Sequence, residues 1–162
     1  MSAKDKFTPE EWKTLLKAPM MVSYAVVGAS PSGMIGFVKE MKAVADAILE
    51  AGGQAPADSL VGLIVAEIKD QATDSTEGQK EKLSVAETKG KALETCRQTA
   101  QILQAKAGAA DAESYKSWLL TVGRKVAEAA KEGGFLGFGG ERVSESETAV
   151  LGEIAATLGS KA

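Results

Sequence analysis

Two glutamates, Glu40 and Glu67, follow apolar residues and are therefore the candidate general acids of this chain. Glu67 follows directly on the apolar segment 60–66, and Glu40 follows Phe37 by three residues. Burial raises the pKa of a carboxyl group because the charged form loses its hydration, and a raised pKa suits proton transfer near neutral pH. The alternative is that each glutamate lies at an edge of the protein and pairs with a neighbouring lysine such as Lys69.

The candidate nucleophiles have neighbours that do not activate them. Ser23 and Lys17 are six residues apart, which places them on different faces of a helix. Arg97 is adjacent to Cys96, the only cysteine, but adjacent helical side chains point apart. We therefore predict that Cys96 is a small buried packing residue.

Histidine is absent from all 162 residues. Histidine is the commonest acid–base group near neutral pH and a usual ligand in zinc, haem and di-iron sites. Asp70, Asp74 and Glu77 lack the alternating oxygen ligands and the glycine of a calcium loop. The sequence therefore predicts no cofactor and no metal site, and it favours a protein that is not an enzyme.

The charge pattern indicates a solvated surface rather than a nucleic-acid interface. The formal net charge is −3, and the lysines of segment 80–91 alternate with glutamates. Such interleaving is typical of a solvent-facing helix, whereas nucleic-acid binding requires a basic stripe, often with stacking aromatic residues. Aromatic residues make up only 5% of the chain. We predict no nucleic-acid partner.

Residues 18–38 carry no charged side chain. The length matches a membrane-spanning helix, but Pro19, Gly28 and the Ser-Pro-Ser-Gly sequence at 30–33 interrupt it. We therefore predict that this run is buried within the protein and does not span a membrane. A single cysteine cannot form an intramolecular disulfide, and the charged N-terminal sequence differs from a secretory signal, so we expect a cytoplasmic protein.

Local signals predict about six helices. Thr8 and Glu11 form a capping box around Pro9, and Phe7 and Trp12 occupy the positions of a hydrophobic staple. Apolar spacings of three and four residues then define the helices. The predicted segments are 9–29, 34–51, 58–74, 77–107, 111–132 and 144–158, with Asp58 and Asp111 as the expected caps of the third and fifth.

Two features of these segments bear on their arrangement. Pro19 lacks the N–H that would bond to the carbonyl of Leu15, so a kink is expected in helix 1. Residues 60–65 have almost no polar face, which predicts a central position for helix 3. We predict one all-α domain, residues 1–162, folded as an up-and-down bundle of three helix pairs.

Two glycine-containing joints are the expected contact surface. The loop 133–140 is rich in glycine but follows no strand and lacks the lysine of a phosphate-binding loop. Its apolar side chains either fold back over the bundle or form an exposed knob for a partner or a membrane surface. The predicted surface comprises Met34, Ile35 and Phe37 of the first joint and Phe135, Leu136 and Phe138 of the second.

We therefore expect a small structural or protein-interaction bundle that binds a protein partner or a second copy of itself. The alternative function is binding of an apolar small molecule or of a membrane surface. Its pocket would be lined by Met20, Tyr24 and Met41, because methionine adapts to irregular apolar surfaces. Methionines that merely fill gaps in an alanine-rich core are the competing explanation.

Overall fold

Six α-helices account for most of the residues that the computed structural model describes, which are 3–29, 37–74, 85–132 and 145–159. A 3-10 turn, Ala3–Lys6, precedes them. The helices are α1 Pro9–Ala29, α2 Phe37–Gly52, α3 Leu60–Asp74, α4 Val85–Lys106, α5 Ala109–Glu132 and α6 Glu145–Leu158. The described residues include no strand, so the prediction of an all-α bundle is confirmed.

The capping box at the start of α1 forms as predicted. The backbone N–H of Thr8 donates to Glu11 Oε2 at 2.7 Å, and the N–H of Glu11 donates to Thr8 Oγ1 at 3.2 Å. The Phe7 and Trp12 rings pack with their centroids 5.9 Å apart. Reciprocal capping satisfies two backbone donors that the first helical turn leaves without partners.

The caps of α3 and α5 differ from the prediction. Ser59, not Asp58, caps α3, because Ser59 Oγ accepts the backbone N–H of Gly62 at 3.2 Å. Helix α5 begins at Ala109, so Asp111 lies in its first turn, where a carboxylate still favours the positive end of the helix dipole. Aspartate is compatible with the start of a helix at either position. In α3, however, the Ser59 hydroxyl binds the N–H group of Gly62, so Ser59 is the cap.

The carbonyl group that Pro19 leaves without a helical donor is satisfied from another helix. Helix α1 is continuous through Pro19, and the Tyr115 hydroxyl of α5 donates to the carbonyl oxygen of Leu15 at 2.5 Å. The Ser23 hydroxyl donates to the carbonyl oxygen of Pro19 at 2.7 Å. The Tyr115 bond therefore holds α5 beside α1 with Tyr115 next to Leu15.

The central position belongs to α1, whereas we predicted α3 there. Helix α1 packs most extensively against α4 and α5 and also contacts α2, α3 and α6. Helix α3 packs mainly against α2 and α5, and Leu63, Val65 and Ile68 on it are only half-buried. A helix without a polar face can therefore lie at the periphery, because half-burial also accommodates apolar side chains.

Burial accounts for the part of the uncharged run that lies in α1. In α1, a row of fully buried small and branched residues lies between the neighbouring helices: Leu15, Ala18, Val22, Ala25 and Val26. Small side chains allow α4 and α5 to approach α1 closely. Among the described helices, none combines the length and the apolar character needed to cross a membrane.

Helices α1 and α5 run parallel. Leu15 lies against Tyr115, and seven residues further along α1, Val22 Cγ1 lies 3.3 Å from the position that a Cβ on Gly123 would occupy. Val26 Cγ2 lies 3.8 Å from the same position. Since residue numbers rise together along both helices, their carboxyl ends lie at the same end of the bundle.

Candidate functional site

Glu67 stands at the centre of a polar cluster near the start of α1. Its Oε2 atom accepts a hydrogen bond from Trp12 Nε1 at 2.7 Å and another from Lys4 Nζ at 2.8 Å. Lys4 Nζ also lies 5.2 Å from the centroid of the Trp12 ring, within the range of a cation–π interaction. We call Lys4, Trp12 and Glu67 the Glu67 cluster.

The carboxyl group of Glu67 is ionised at neutral pH, so it is not a proton donor there. Burial raises its pKa, but the hydrogen bonds from Lys4 and Trp12 and the charge of Lys4 outweigh burial, so the pKa is lowered from 4.5. The lowered pKa contradicts the hypothesis that Glu67 is a general acid with a raised pKa. The alternative, an ion-paired glutamate at the edge of the bundle, is confirmed, but the partner is Lys4 and not Lys69.

This lowered pKa predicts an acid-dependent loss of stability. A carboxyl group with a lowered pKa in the folded state stabilises the fold above its unfolded pKa, 4.5, and loses that contribution as the pH falls through its folded pKa. We expect Glu67→Gln to lower the thermal unfolding midpoint at neutral pH. The deficit relative to wild type should shrink as the pH falls below 4.5 and through the lowered pKa of Glu67 in the folded state.

Circular dichroism melts at a series of pH values measure this deficit. Glu128→Gln, which removes one exposed carboxylate from α5, is the matched control. A Glu67→Gln deficit that stays constant across the acid range would contradict the predicted linkage.

A second ion pair joins the start of α1 to the end of α4. Lys106 Nζ donates to Glu11 Oε2 at 2.6 Å. The hydrogen bond from Lys106 is the largest cause of a lowered pKa at Glu11, followed by the backbone N–H of Thr8. One carboxylate thus caps α1 and links it to α4, so α1 and α4 run antiparallel.

An open groove of about 480 Å³ adjoins the Glu67 cluster. Phe7, Pro9 and Leu16 supply apolar walls, and Lys13 contributes a further positive charge. The groove is shallow and partly polar, which differs from the enclosed apolar pockets that typically bind small molecules.

Cys96 and Tyr115 are buried side chains of the core. Both are fully buried, as predicted for Cys96. Burial raises the pKa of the Cys96 thiol to about 12 and holds the pKa of Tyr115 well above its ordinary value. Cys96 is therefore a protonated thiol at neutral pH and a poor nucleophile.

We expect Cys96 to be unreactive in the folded protein. Under native conditions a thiol reagent such as iodoacetamide should label it at least about 100-fold more slowly than in denaturant, because thiolate and access are both lacking. Mass spectrometry of timed samples measures the labelling. The peptide glutathione, labelled in the same tube, controls for reagent activity. Rapid native labelling would contradict the burial of this thiol.

Ser23 and Lys17 lie in different environments, as their spacing predicts. Ser23 is fully buried and its hydroxyl bonds to the Pro19 carbonyl, whereas Lys17 is exposed. One further hydroxyl, Thr99 Oγ1 of α4, is buried and has no hydrogen-bond partner among the described residues. The side chain of Glu40 lies outside the described residues.

The side chains of the predicted contact surface also lie outside the described residues. This applies to Met34, Ile35, Phe135, Leu136 and Phe138, and to the side chain of Phe37, which belongs to α2. The side chain of Met41, predicted to line the apolar pocket, lies outside them as well. Met20 and Tyr24 are half-buried one turn apart on α1, and burial raises the pKa of Tyr24. They share a face, as a pocket lining requires.

Two hydrogen bonds of the site were not predicted from the sequence, although one group in each visibly requires a partner. A buried tryptophan usually finds an acceptor for its indole N–H, and Glu67 fills that need for Trp12. A proline inside a helix leaves a carbonyl group without its donor, and Tyr115 fills that need. The residue types indicate that each bond is required. They do not identify the partners, because the bonded residues lie far apart in the sequence.

Among the described residues, no group of three or more cysteine, aspartate and glutamate side chains is placed to hold a metal ion. No protein family, curated protein or solved structure matches this chain. Its function is therefore inferred from its own geometry.

Proposed function

We propose that this chain is a non-catalytic cytosolic bundle that binds a protein partner or a second copy of itself through its two apolar joints. The observation that carries the proposal is the parallel arrangement of α1 and α5. Leu15 lies level with Tyr115, and Val22 faces Gly123, so the carboxyl ends of the two helices lie together. The joints that follow Ala29 and Glu132 therefore start from the same end of the bundle.

The composition of the joints supports contact with a partner. Met34, Ile35 and Phe37 follow the first helix, and Phe135, Leu136 and Phe138 follow the second. Two apolar groups that start from one end can contribute to one surface. Larger apolar patches on a soluble protein usually mark interfaces.

The engaged state of the candidate catalytic groups supports a non-catalytic role. Glu67 is ionised and accepts two strong hydrogen bonds, and Ser23 is bonded to the backbone. The Cys96 thiol is buried and protonated at neutral pH. Each of these groups serves the packing or anchoring of a helix, so none is available for proton transfer or nucleophilic attack.

Native mass spectrometry of the chain purified from its own host tests the proposal. We expect a dimer or a stable heteromeric complex for the wild type, and its loss in the double variant Phe135→Asn/Phe138→Asn. The control, Ala105→Asn/Ala156→Asn, alters two exposed alanines of α4 and α6 and should keep the assembly. A wild-type monomer without a partner, or an assembly unaffected by the phenylalanine variant, would contradict the proposal.

The second candidate function is binding of an apolar small molecule or a membrane surface. The shared half-buried face of Met20 and Tyr24 favours it. The same native spectra distinguish this function, because a bound small molecule adds its mass to the monomer. Loss of that mass in a Met20→Gln variant would favour ligand binding over a protein partner.

A further inference from the structure

The ammonium group of Lys4 occupies a position between a carboxylate and an indole ring. Glu67 Oε2 lies 2.8 Å from Lys4 Nζ, and the Trp12 ring centroid lies 5.2 Å from it. An anion combined with an aromatic face recognises an ammonium or guanidinium group through charge and through the ring quadrupole. Glu67 and Trp12 therefore have the geometry of a cation-binding site, and Lys4 of the same chain occupies it.

The receiving groups are firmly held. Trp12 is 4% exposed, and its indole N–H donates to the same Glu67 oxygen that binds Lys4. Trp12 lies on α1 and Glu67 on α3, so two helices fix their relative position. The site retains these two groups whether or not Lys4 is bound, because the Trp12–Glu67 bond does not involve Lys4.

The occupant is held much less firmly. The 3-10 turn Ala3–Lys6 contains no buried residue, and the Lys4 side chain is 50% exposed. Exposed ion pairs contribute little because water competes for both charges. A cation delivered by another molecule can therefore replace Lys4 at low cost.

We propose that Trp12 and Glu67 form a binding site for a lysine or arginine side chain of a partner polypeptide, and that Lys4 fills this site until the partner displaces it. The charge of Glu67 selects a basic residue. The apolar walls of the adjoining groove, Phe7, Pro9 and Leu16, accommodate an apolar side chain of the same segment.

This site is separate from the surface of the proposed function. It lies at the amino end of α1, whereas the joints start from the carboxyl end, and the 21 residues of α1 span about 30 Å. The two proposals can therefore fail independently.

Titration of the ¹⁵N-labelled full-length chain tests the site. The chain contains two tryptophans, so two indole N–H resonances are expected. Trp12 reports on the site, and Trp118, which donates to the carbonyl oxygen of Ile48, reports on the integrity of the fold. The probe is an amidated peptide with the sequence of residues 1–8, MSAKDKFT, and the control peptide carries norleucine in place of both lysines.

We expect the probe peptide to shift the Trp12 resonance and to bind Lys4→Ala about fivefold more tightly than wild type, because removal of Lys4 vacates the site. Binding should be lost in Lys4→Ala/Glu67→Gln, in which the amide keeps an acceptor for Trp12 but removes the charge. The norleucine peptide should leave the Trp12 resonance unchanged.

Three results would overturn the proposal. The first is equal binding to wild type and Lys4→Ala. The second is a Trp12 shift that persists with the norleucine peptide or in Lys4→Ala/Glu67→Gln. The third is a wild-type dimer in sedimentation velocity that Lys4→Ala converts to monomer, which would make a second copy of this chain the occupant.

Discussion

Replacement of Gly62 by alanine is expected to lower the free energy of unfolding by about 3 kcal/mol. Gly62 lies in the first turn of α3, where the added methyl group would overlap the carbonyl oxygen of Pro56. It would also lie 3.1 Å from the Cα of Ala57. These are backbone atoms, which cannot turn aside as the end of a flexible side chain can.

The position of the Pro56 carbonyl is itself fixed. It accepts the backbone N–H of Ser59 at 3.0 Å and the Ser59 hydroxyl at 2.6 Å. Movement of this carbonyl would therefore disturb the residue that caps α3. The expected cost combines steric strain with a weakened cap.

Gly90→Ala is the matched control for Gly62→Ala. Gly90 lies within α4 and is exposed. Apart from its own helix backbone and its two chain neighbours, no described atom lies within 4 Å of the position of an added Cβ. Alanine there should raise the free energy of unfolding by about 0.5–1 kcal/mol, because glycine loses more backbone entropy in a helix. Urea unfolding followed by circular dichroism measures both variants. Equal effects at the two glycines would contradict the close packing at Gly62.

The second large effect is expected for Tyr115→Phe, which should lower the free energy of unfolding by about 1–3 kcal/mol. The substitution keeps the buried ring but removes the hydroxyl that donates to the carbonyl oxygen of Leu15. Pro19 cannot supply a replacement N–H, so the buried carbonyl would lose its donor. The cost is that of an unsatisfied polar group rather than of a cavity.

A double-mutant cycle with Pro19→Ala tests this explanation. Alanine at position 19 restores an N–H that can donate to the Leu15 carbonyl. The Tyr115→Phe cost should therefore fall by about 1 kcal/mol or more in the Pro19→Ala background. Thr121→Val, which removes a hydroxyl bonded only within α5, is the control and should cost the same in both backgrounds. Additive effects of Tyr115→Phe and Pro19→Ala would show that the two residues do not share the carbonyl.

Local features of the fold could be predicted because they depend on neighbours in sequence. The Thr8–Glu11 capping box and the Phe7–Trp12 staple lie within six residues, and their geometry follows from helix dimensions. The burial of Cys96 also follows from residue type. These predictions require no knowledge of how the helices are arranged.

The arrangement of the helices and the environment of Glu67 could not be predicted in the same way. The acceptor of the Trp12 indole lies 55 residues away, and the donor to Leu15 lies 100 residues away. The apolar segment before Glu67 indicated burial, but Lys4 and Trp12 reversed the direction of the pKa shift. Spacing along a helix specifies which residues share a face, not which helix that face meets.

The central position of α1 has a consequence during synthesis. Helix α1 leaves the ribosome before its main neighbours, α4 and α5, and Tyr115 is made 100 residues after Leu15. At a synthesis rate of about 5–20 residues per second, the apolar face of α1 stays uncovered for about 5–20 s before the segments that bury it are made. A nascent chain that ends before α5 should therefore be a strong client of chaperones that bind exposed apolar segments.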